Sequence, residues 1–215
     1  MAASRRPLTI ALNRGDRILS DSLSLLARAG IEPAESVERS RKLVFDSRCG
    51  RARLVIMRGS DVPTFVEYGA ADLGIAGKDT LLEHGGTGFY ERLDLKIAPC
   101  RLMTAAPIGF SEPLGRPLRV ATKFVRIARE HYADIGRAVE IIPLSGAMEI
   151  APLMGLADCI VDIVETGTTL KANGLEAREL IAESTARVIV NRASLKVRLG
   201  EIEALLAALR SAVGD

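Results

Sequence analysis

An α/β protein of two lobes is the expectation raised by three features of this 215-residue chain. Short β-branched runs alternate with longer segments of 3.6-residue apolar period, the pattern of parallel strands joined by crossover helices. Hydrophobic residues make up 48% of the chain, ample for a parallel sheet buried on both faces. A seam containing Ser, Gly and two prolines, residues 110–117, follows soon after a strand that begins near Arg101. If that strand leaves the first lobe, a later one must return, because the C-terminal helix needs a surface to pack on. The run 187–191 is the expected return. Residues 1–99 and 191–215 then form lobe I and 100–190 form lobe II, with the active site in the cleft.

Each element has its own reason. Strands are expected at 8–12, 42–45, 53–57 and 73–76, then at 101–105, 118–121, 139–143, 160–164 and 187–191. A helix over 18–29 ends at Gly30, which tolerates the left-handed backbone of a helix terminus. Another over 62–69 has Asp61 as N-cap and Pro63 in its first turn. Helices at 79–84, 127–135 and 147–154 fill further gaps. The last, 200–213, puts Ile202, Leu205, Leu206, Leu209 and Val213 on one face. No tandem repeat, low-complexity segment or flexible linker interrupts the series.

Composition excludes several function classes. Aromatic residues are 4% of the chain and Trp is absent, which argues against base-stacking platforms. A net charge of +2 is too small to make polyanion binding the default. No apolar run approaches the ~20 residues of a membrane helix, and the basic N-terminus leads into an apolar run too short for a signal peptide. Cys49, Cys100 and Cys159 make no metal or Cys-x-x-Cys spacing, and their odd number points to a reducing cytoplasm. His84 and His131 lie in polar helical contexts and read as surface residues.

The strongest chemical signal runs from Asp158 to Leu170. A buried strand enters a loop of Glu165, Thr166, Gly167, Thr168 and Thr169, and a short helical segment follows. Backbone N–H groups converge at such a turn and suit a phosphate. Gly167 permits close approach, and the three threonine hydroxyls add donors. Asp162 and Glu165 are placed to accept from two ribose hydroxyls, or to reach a Mg²⁺ carried by a polyphosphate. An ordinary capped strand-to-helix turn is the plainer alternative. No Gly-Lys-Ser/Thr is present, so this is not a Walker loop.

Arg14 and Arg17 flank Gly15 at the carboxyl end of the first strand, where ligands of open α/β sheets bind. Arg41 and Lys42 add charge near the next strand, and arginines gathered from separate loops hold diphosphates well. Arg39, Arg48, Arg51 and Arg53 read as solvated surface. The segment 69–79 passes through Gly74 and Gly77 into Lys78, leaving room either for a flat ligand or for close helix–sheet packing. In the turn 144–149, Ser145 is the expected N-cap of an imperfect capping box, with Met148 where Glu would stand.

Taken in order, these segments resemble the ATP phosphoribosyltransferase family. The resemblance rests on Ser40-Arg-Lys-Leu43, Ser60-Asp-Val-Pro63, Gly69-Ala-Ala-Asp-Leu-Gly74 and Leu118-Arg-Val-Ala-Thr-Lys123. It continues through Gly155-Leu-Ala-Asp158, Asp162-Ile-Val-Glu-Thr-Gly-Thr-Thr-Leu170 and Ala172-Asn-Gly-Leu175. It implies two lobes of the type II periplasmic-binding-protein kind, and transfer of a phosphoribosyl group from 5-phosphoribosyl-1-diphosphate to ATP. Asp162, Glu165, Thr166, Gly167, Thr168 and Thr169 would bind the phosphoribosyl donor, and Arg17 and Arg41 would be catalytic at the leaving diphosphate. Arg14, Gly74, Gly77 and Lys78 would contact ATP. The family loop reads Lys-Gly-Arg, whereas Arg14-Gly15-Asp16-Arg17 carries an inserted Asp16. Arg17 aligns with the family arginine, and Arg14 is the alternative for that place. The resemblance also implies Mg²⁺ dependence and the short family form, without a C-terminal regulatory domain. It further implies a regulatory partner similar to histidyl-tRNA synthetase, and a homodimer within a hetero-octamer. Two rivals are a non-catalytic two-lobed binding module and a transferase acting on free bases. The latter usually carries two adjacent acids before its threonine loop, whereas Asp162 and Glu165 stand three apart.

Overall fold

A computed structural model describes residues 6–37 and 40–214, with the backbone alone for Asp16 and Arg17. The chain runs β1 (Leu8–Asn13), α1 (Asp16–Arg28), β2 (Val44–Asp46), β3 (Ala52–Met57), α2 (Val62–Glu67), β4 (Leu73–Gly77), α3 (Lys78–His84) and β5 (Phe89–Asp94). It continues through β6 (Cys100–Pro107), β7 (Leu118–Thr122), α4 (Val125–Asp134), β8 (Val139–Pro143), α5 (Ile150–Leu153), β9 (Cys159–Val164) and α6 (Thr168–Ala172). It ends with β10 (Leu175–Ser184), β11 (Ala186–Asn191), α7 (Arg192–Val197) and α8 (Leu199–Gly214). Two compact units result. The first comprises residues up to Ala98 and from Thr185 onward, and the second is Pro99–Ser184.

The first unit holds a six-stranded sheet in the order β2-β3-β1-β4-β11-β5. Side-chain alternation sorts its residues to two faces. Leu8, Ile10 and Leu12 of β1, with Leu73 and Ile75 of β4, join Leu25 and Leu26 of α1 and Ile202, Leu206 and Leu209 of α8 in the main core. The opposite face is lined by small residues, Ala11 and Ala76 among them, and receives Val62 and Val66 of α2. That asymmetry lets α2 lie close to the sheet.

The second unit's sheet has the order β10-β6-β9-β7-β8. Reversed, it repeats five strands of the first. β7 pairs in parallel with β8 and β9, as β1 does with β3 and β4. β6 is antiparallel to β9 and β10, as β11 is to β4 and β5. The sequence trace of this correspondence is short: Gly69-Ala-Ala-Asp72 and Gly155-Leu-Ala-Asp158. Both glycines take a left-handed backbone, φ 74° and φ 68°, just beyond α2 and α5.

Each aspartate then clamps the strand beside it. Asp72 accepts from the Thr9 N–H at 2.9 Å while its own N–H donates to the Thr9 carbonyl at 2.8 Å. Asp158 makes the same exchange with Arg119, at 2.9 and 2.8 Å. The remaining lone pairs of Asp72 take Ser194 Oγ at 2.7 Å, Arg198 Nη1 at 3.2 Å and the Arg6 guanidinium. Those of Asp158 take Arg116 at 2.6 and 2.8 Å and Arg119 Nη2 at 2.9 Å. Asp72 is fully buried and ties α7 and α8 to the sheet.

Sequence expectation and structure part company at a few places. β5 and β10, both sheet edges, were not anticipated. Residues 185–190 belong to the first unit, because β11 is hydrogen-bonded between β4 and β5, and the return falls at 184/185. With β10 unrecognised, β11 was the nearest strand available for that return. The segment between β5 and β6 carries two left-handed non-glycine residues, Lys96 (φ 54°) and Ala98 (φ 49°). Asp94 Oδ1 secures it, accepting from the Lys96 N–H at 2.9 Å and from Thr185 Oγ1 at 2.7 Å. The helix expected over 147–154 shrinks to α5, since Ala147 takes φ 52° and breaks the turn. Asp61 makes no capping bond and accepts instead from the Ser60 hydroxyl.

Removing the Asp72 clamp strands the buried Arg198 charge. Asp72→Ala is expected to cost about 3–5 kcal/mol in urea unfolding. Asp158→Ala should cost less, about 1–3 kcal/mol, because Arg116 and Arg119 remain 45% and 33% exposed. Hydrogen bonds from Arg116, then from Arg119, outweigh burial and hold the Asp158 carboxyl well below the usual carboxylate range. A depressed folded pKa means that its stabilisation is complete above the unfolded value of about 3.9. It is lost as pH falls through the lower folded value. Asp158→Asn is therefore expected to flatten the acid limb of unfolding free energy against pH; an unchanged slope below about pH 4 would contradict this.

Candidate functional site

In the second unit, β9 delivers Asp162 and the loop after it to the sheet's carboxyl edge. Gly167 takes φ 76°, a left-handed conformation that glycine enters without penalty, and the chain turns there directly into α6. Thr166 Oγ1 lies 2.9 Å from Thr168 Oγ1 and accepts from the Thr168 N–H at 3.4 Å. A hydroxyl oxygen thus sits over the start of α6, where a phosphate oxygen would be received. Thr169 is exposed beside it, its carbonyl bonded to Asn173 Nδ2 at 2.9 Å. A depression of about 290 Å³ is lined by Asp162, Glu165, Thr166, Gly167, Thr169 and Glu149. The structure therefore brings together the residues that the sequence assigned to a phosphoribosyl group.

Two side chains not assigned from the sequence bear on this depression, Glu149 in its lining and Lys123 through Asp162. Glu149 comes from the turn before α5, which sequence reasoning examined only as a helix cap. Lys123, the first residue after β7, places its ammonium 3.2 Å from Asp162 Oδ1. Its signal was a lone cation at the end of a buried parallel strand. Among the described residues, no group of three or more His, Cys, Asp or Glu side chains is arranged to hold a metal ion. The carboxylates of Asp162 and Glu165 are nonetheless the oxygen donors that Mg²⁺ prefers.

In the first unit, Arg14 and Arg41 line one depression of about 370 Å³ together with Ser40 and Lys42. Arg14 follows β1, with its N–H on the Met57 carbonyl at 2.7 Å. Lys42 is paired with Glu35 at 2.7 Å. Arg14 and Arg41 have no ion-pair partner among the described residues, which leaves both guanidinium groups for an anion. The side chain of Arg17 lies outside the described residues, as does Arg39; the backbone of Arg17 is in the first turn of α1.

The glycine segment resolves toward packing. Gly74 is buried beneath α2, and a Cβ placed there would lie 2.7 Å from Val62 Cγ1 and 2.8 Å from Val66 Cγ2. Its lack of a side chain serves helix–sheet packing. Gly77 is buried under the folded-back Asp79 carboxylate. Lys78 is ion-paired with Glu91 at 2.6 Å. The histidines are only partly exposed, each ring turned toward a glutamate. His84 Nε2 is 2.7 Å from Glu67 Oε2, and His131 Nε2 is 3.3 Å from Glu179 Oε2, with rings 19% and 16% exposed.

The family model described as "HisG: ATP phosphoribosyltransferase" matches residues 58–211 of this chain. The chain belongs to the ATP phosphoribosyltransferase family. It is 60% identical over 206 residues to the ATP phosphoribosyltransferase of Ectopseudomonas mendocina strain ymp, covering 96% of this chain and 97% of that one. The Pseudomonas aeruginosa PAO1 protein of the same name is 59% identical over 206 residues, with the same coverage. Among solved structures, the ATP phosphoribosyl transferase (HisG:HisZ) complex from Thermotoga maritima superposes with a TM-score of 0.84 at 31% identity. That match covers 96% of this chain and 97% of the other. The alkanesulfonate-binding protein SsuA from Xanthomonas axonopodis pv. citri, bound to MOPS, shares the fold. Its TM-score is 0.56 at 17% identity, over 98% of this chain and 74% of that one. The architecture is thus the two-lobed, type II periplasmic-binding-protein kind, and this ATP phosphoribosyltransferase-family chain is a phosphoribosyl-transferring enzyme.

Two glycine variants separate packing from binding. Gly74→Ala is expected to overpack α2 against β4 and cost about 1–3 kcal/mol of unfolding free energy, while ATP affinity at a permissive temperature stays unchanged. Gly167→Ala meets only ordinary contact space but must hold a left-handed backbone. Its expected cost is about 1–2 kcal/mol, with weakened binding of ribose 5-phosphate by calorimetry.

Proposed function

We propose that this chain transfers the 5-phosphoribosyl group of 5-phosphoribosyl-1-diphosphate to N1 of ATP, releasing diphosphate in the first step of histidine biosynthesis. The observation that carries the reading is the Thr166-Gly167-Thr168 turn opening α6 beside Asp162 and Glu165. A helix start rich in N–H and hydroxyl donors takes the 5-phosphate. Asp162 and Glu165 accept from the ribose hydroxyls, fixing the ring so that C1 is presented to the nucleophile.

N1 of adenine already carries a lone pair, so the attack needs no strong general base. What the enzyme must supply is alignment of the reactants and neutralisation of charge gathering on diphosphate. Arg17 and Arg41 serve that neutralisation, with Arg14 the alternative to Arg17. Lys78 and Gly77 remain the candidates for ATP contact. Mg²⁺ would enter on the diphosphate, with Asp162 and Glu165 as the carboxylates able to share it, and would add positive charge at the leaving group. Coverage of 97% of a relative ATP phosphoribosyltransferase supports the short family form. The Thermotoga maritima complex supports a HisZ-type regulatory partner similar to histidyl-tRNA synthetase. A homodimer within a hetero-octamer, working in the cytoplasm, completes the reading.

The test is ATP plus phosphoribosyl diphosphate with Mg²⁺, followed by ultraviolet absorbance, with and without the partner subunit. An adduct is expected with ATP and none with free purine or pyrimidine bases; no adduct in any mixture would overturn the reading. Arg41→Ala is expected to lower kcat by about 100-fold or more with a smaller change in KM, and chelation of Mg²⁺ to abolish turnover. An unchanged kcat in the arginine variant would remove Arg41 from the mechanism.

A further inference from the structure

We propose that Lys123 is a positioning residue for the ribose of the phosphoribosyl donor, holding the Asp162 carboxylate so that one of its oxygens is reserved for a sugar hydroxyl. The inference rests on the proposed reading of the 165–169 loop. It starts from the sheet. β7 and β9 pair in parallel with Thr122 opposite Val161, so Lys123 and Asp162 emerge side by side at the carboxyl edge. The base of Lys123 is held firmly: Thr122 Oγ1 donates to the Val161 carbonyl at 2.7 Å and accepts from the Phe124 N–H at 2.9 Å. Thr122 itself is fully buried.

The ammonium group is placed from two sides. It lies 3.2 Å from Asp162 Oδ1 and 5.0 Å from the centre of the Phe124 ring. The Ile163 N–H donates to the same Oδ1 at 2.8 Å. Two donors therefore share Oδ1, while Oδ2 has no partner among the described contacts. A carboxylate fixed through one oxygen presents the other in a set direction, which an acceptor of a sugar hydroxyl requires. Asp162 lines the depression beside Glu165 and Thr166.

Charge points the same way. Glu149, Asp162 and Glu165 line a depression that, on this reading, also receives a phosphate dianion. Like charges gathered in so small a volume repel, and an ammonium beside one of them offsets the repulsion. A merely structural role predicts little, since a pair whose lysine is 42% exposed contributes little to stability. Lys123 should therefore act on binding of the sugar and not on the fold.

The test uses the chain with its partner subunit and three variants, Lys123→Met, Lys123→Gln and Lys123→Arg. The Met and Gln variants are expected to keep the wild-type unfolding midpoint and to raise KM for phosphoribosyl diphosphate about tenfold, the scale of one charge-assisted hydrogen bond. KM for ATP should stay within about twofold, and Lys123→Arg should recover most of the loss. Combined with Asp162→Asn, Lys123→Met should add nothing further, because the two act as one unit. Calorimetry on the chain alone gives a second readout: wild type should prefer ribose 5-phosphate to 2-deoxyribose 5-phosphate, and Lys123→Met should lose that preference. Full retention of KM and of the sugar preference in both Met and Gln variants would overturn the inference, as would additive effects with Asp162→Asn. If the wild-type complex forms no adduct, the proposed function fails, whereas the calorimetric preference still reports on Lys123 separately.

Discussion

Two buried aspartates carry more of this structure than any other side chains. Asp72 and Asp158 stand just before the central parallel strands of their sheets, and each closes a two-way hydrogen-bond exchange with the second residue of the neighbouring strand. That exchange sets the register of β4 on β1 and of β9 on β7. A carboxylate taken out of water needs partners for all its lone pairs, and the arginines supply them. In the first unit this requirement reaches far along the chain. Arg198 and Ser194 come from the C-terminal helices, so the same carboxylate that aligns the sheet also fastens the end of the polypeptide to it.

Because register is set at the amino ends of these strands, the carboxyl ends are left free to differ. β4 ends in Gly77 and Lys78 and turns at once into α3, whereas β9 carries Asp162 and extends into the threonine loop. The two units thus share a strand plan and a clamp, and diverge where ligands of open α/β sheets bind. In the second unit that edge gathers carboxylates and hydroxyls. In the first it gathers arginines.

Most of the sheet was legible in the sequence because buried parallel strands are continuous apolar runs. The run 139–143, an edge strand, was anticipated at its observed ends, and most interior strands to within a residue or so of theirs. Two of the four edge strands were not legible. β5 reads Phe-Tyr-Glu-Arg-Leu-Asp and β10 carries three glutamates and an arginine, because an edge strand pairs on one side only and meets water on the other. The 165–169 loop was readable as a candidate site because its chemistry is local: threonines around one glycine after a strand. Gly74 was ambiguous because glycine signals both close packing and close ligand approach, and only the position of Val62 and Val66 decides. Lys123 and Glu149 were missed as site residues for a different reason. Each reaches Asp162 or its loop through the fold, from residues distant in the chain, and no spacing rule connects them.

The Thr166 hydroxyl over the start of α6 has a further meaning. An anion-binding turn without an internal acceptor would have to be frozen out of many conformations when its ligand arrives, at about 1–2 kcal/mol per residue of backbone entropy. Here Thr166 accepts from the Thr168 N–H at the left-handed Gly167 turn, so the chain partners its own donor. On the proposed reading, arrival of a phosphate would be an exchange of one oxygen for another on a preformed frame. The entropy of shaping the loop would then fall within folding, leaving the free energy of binding to hold the sugar.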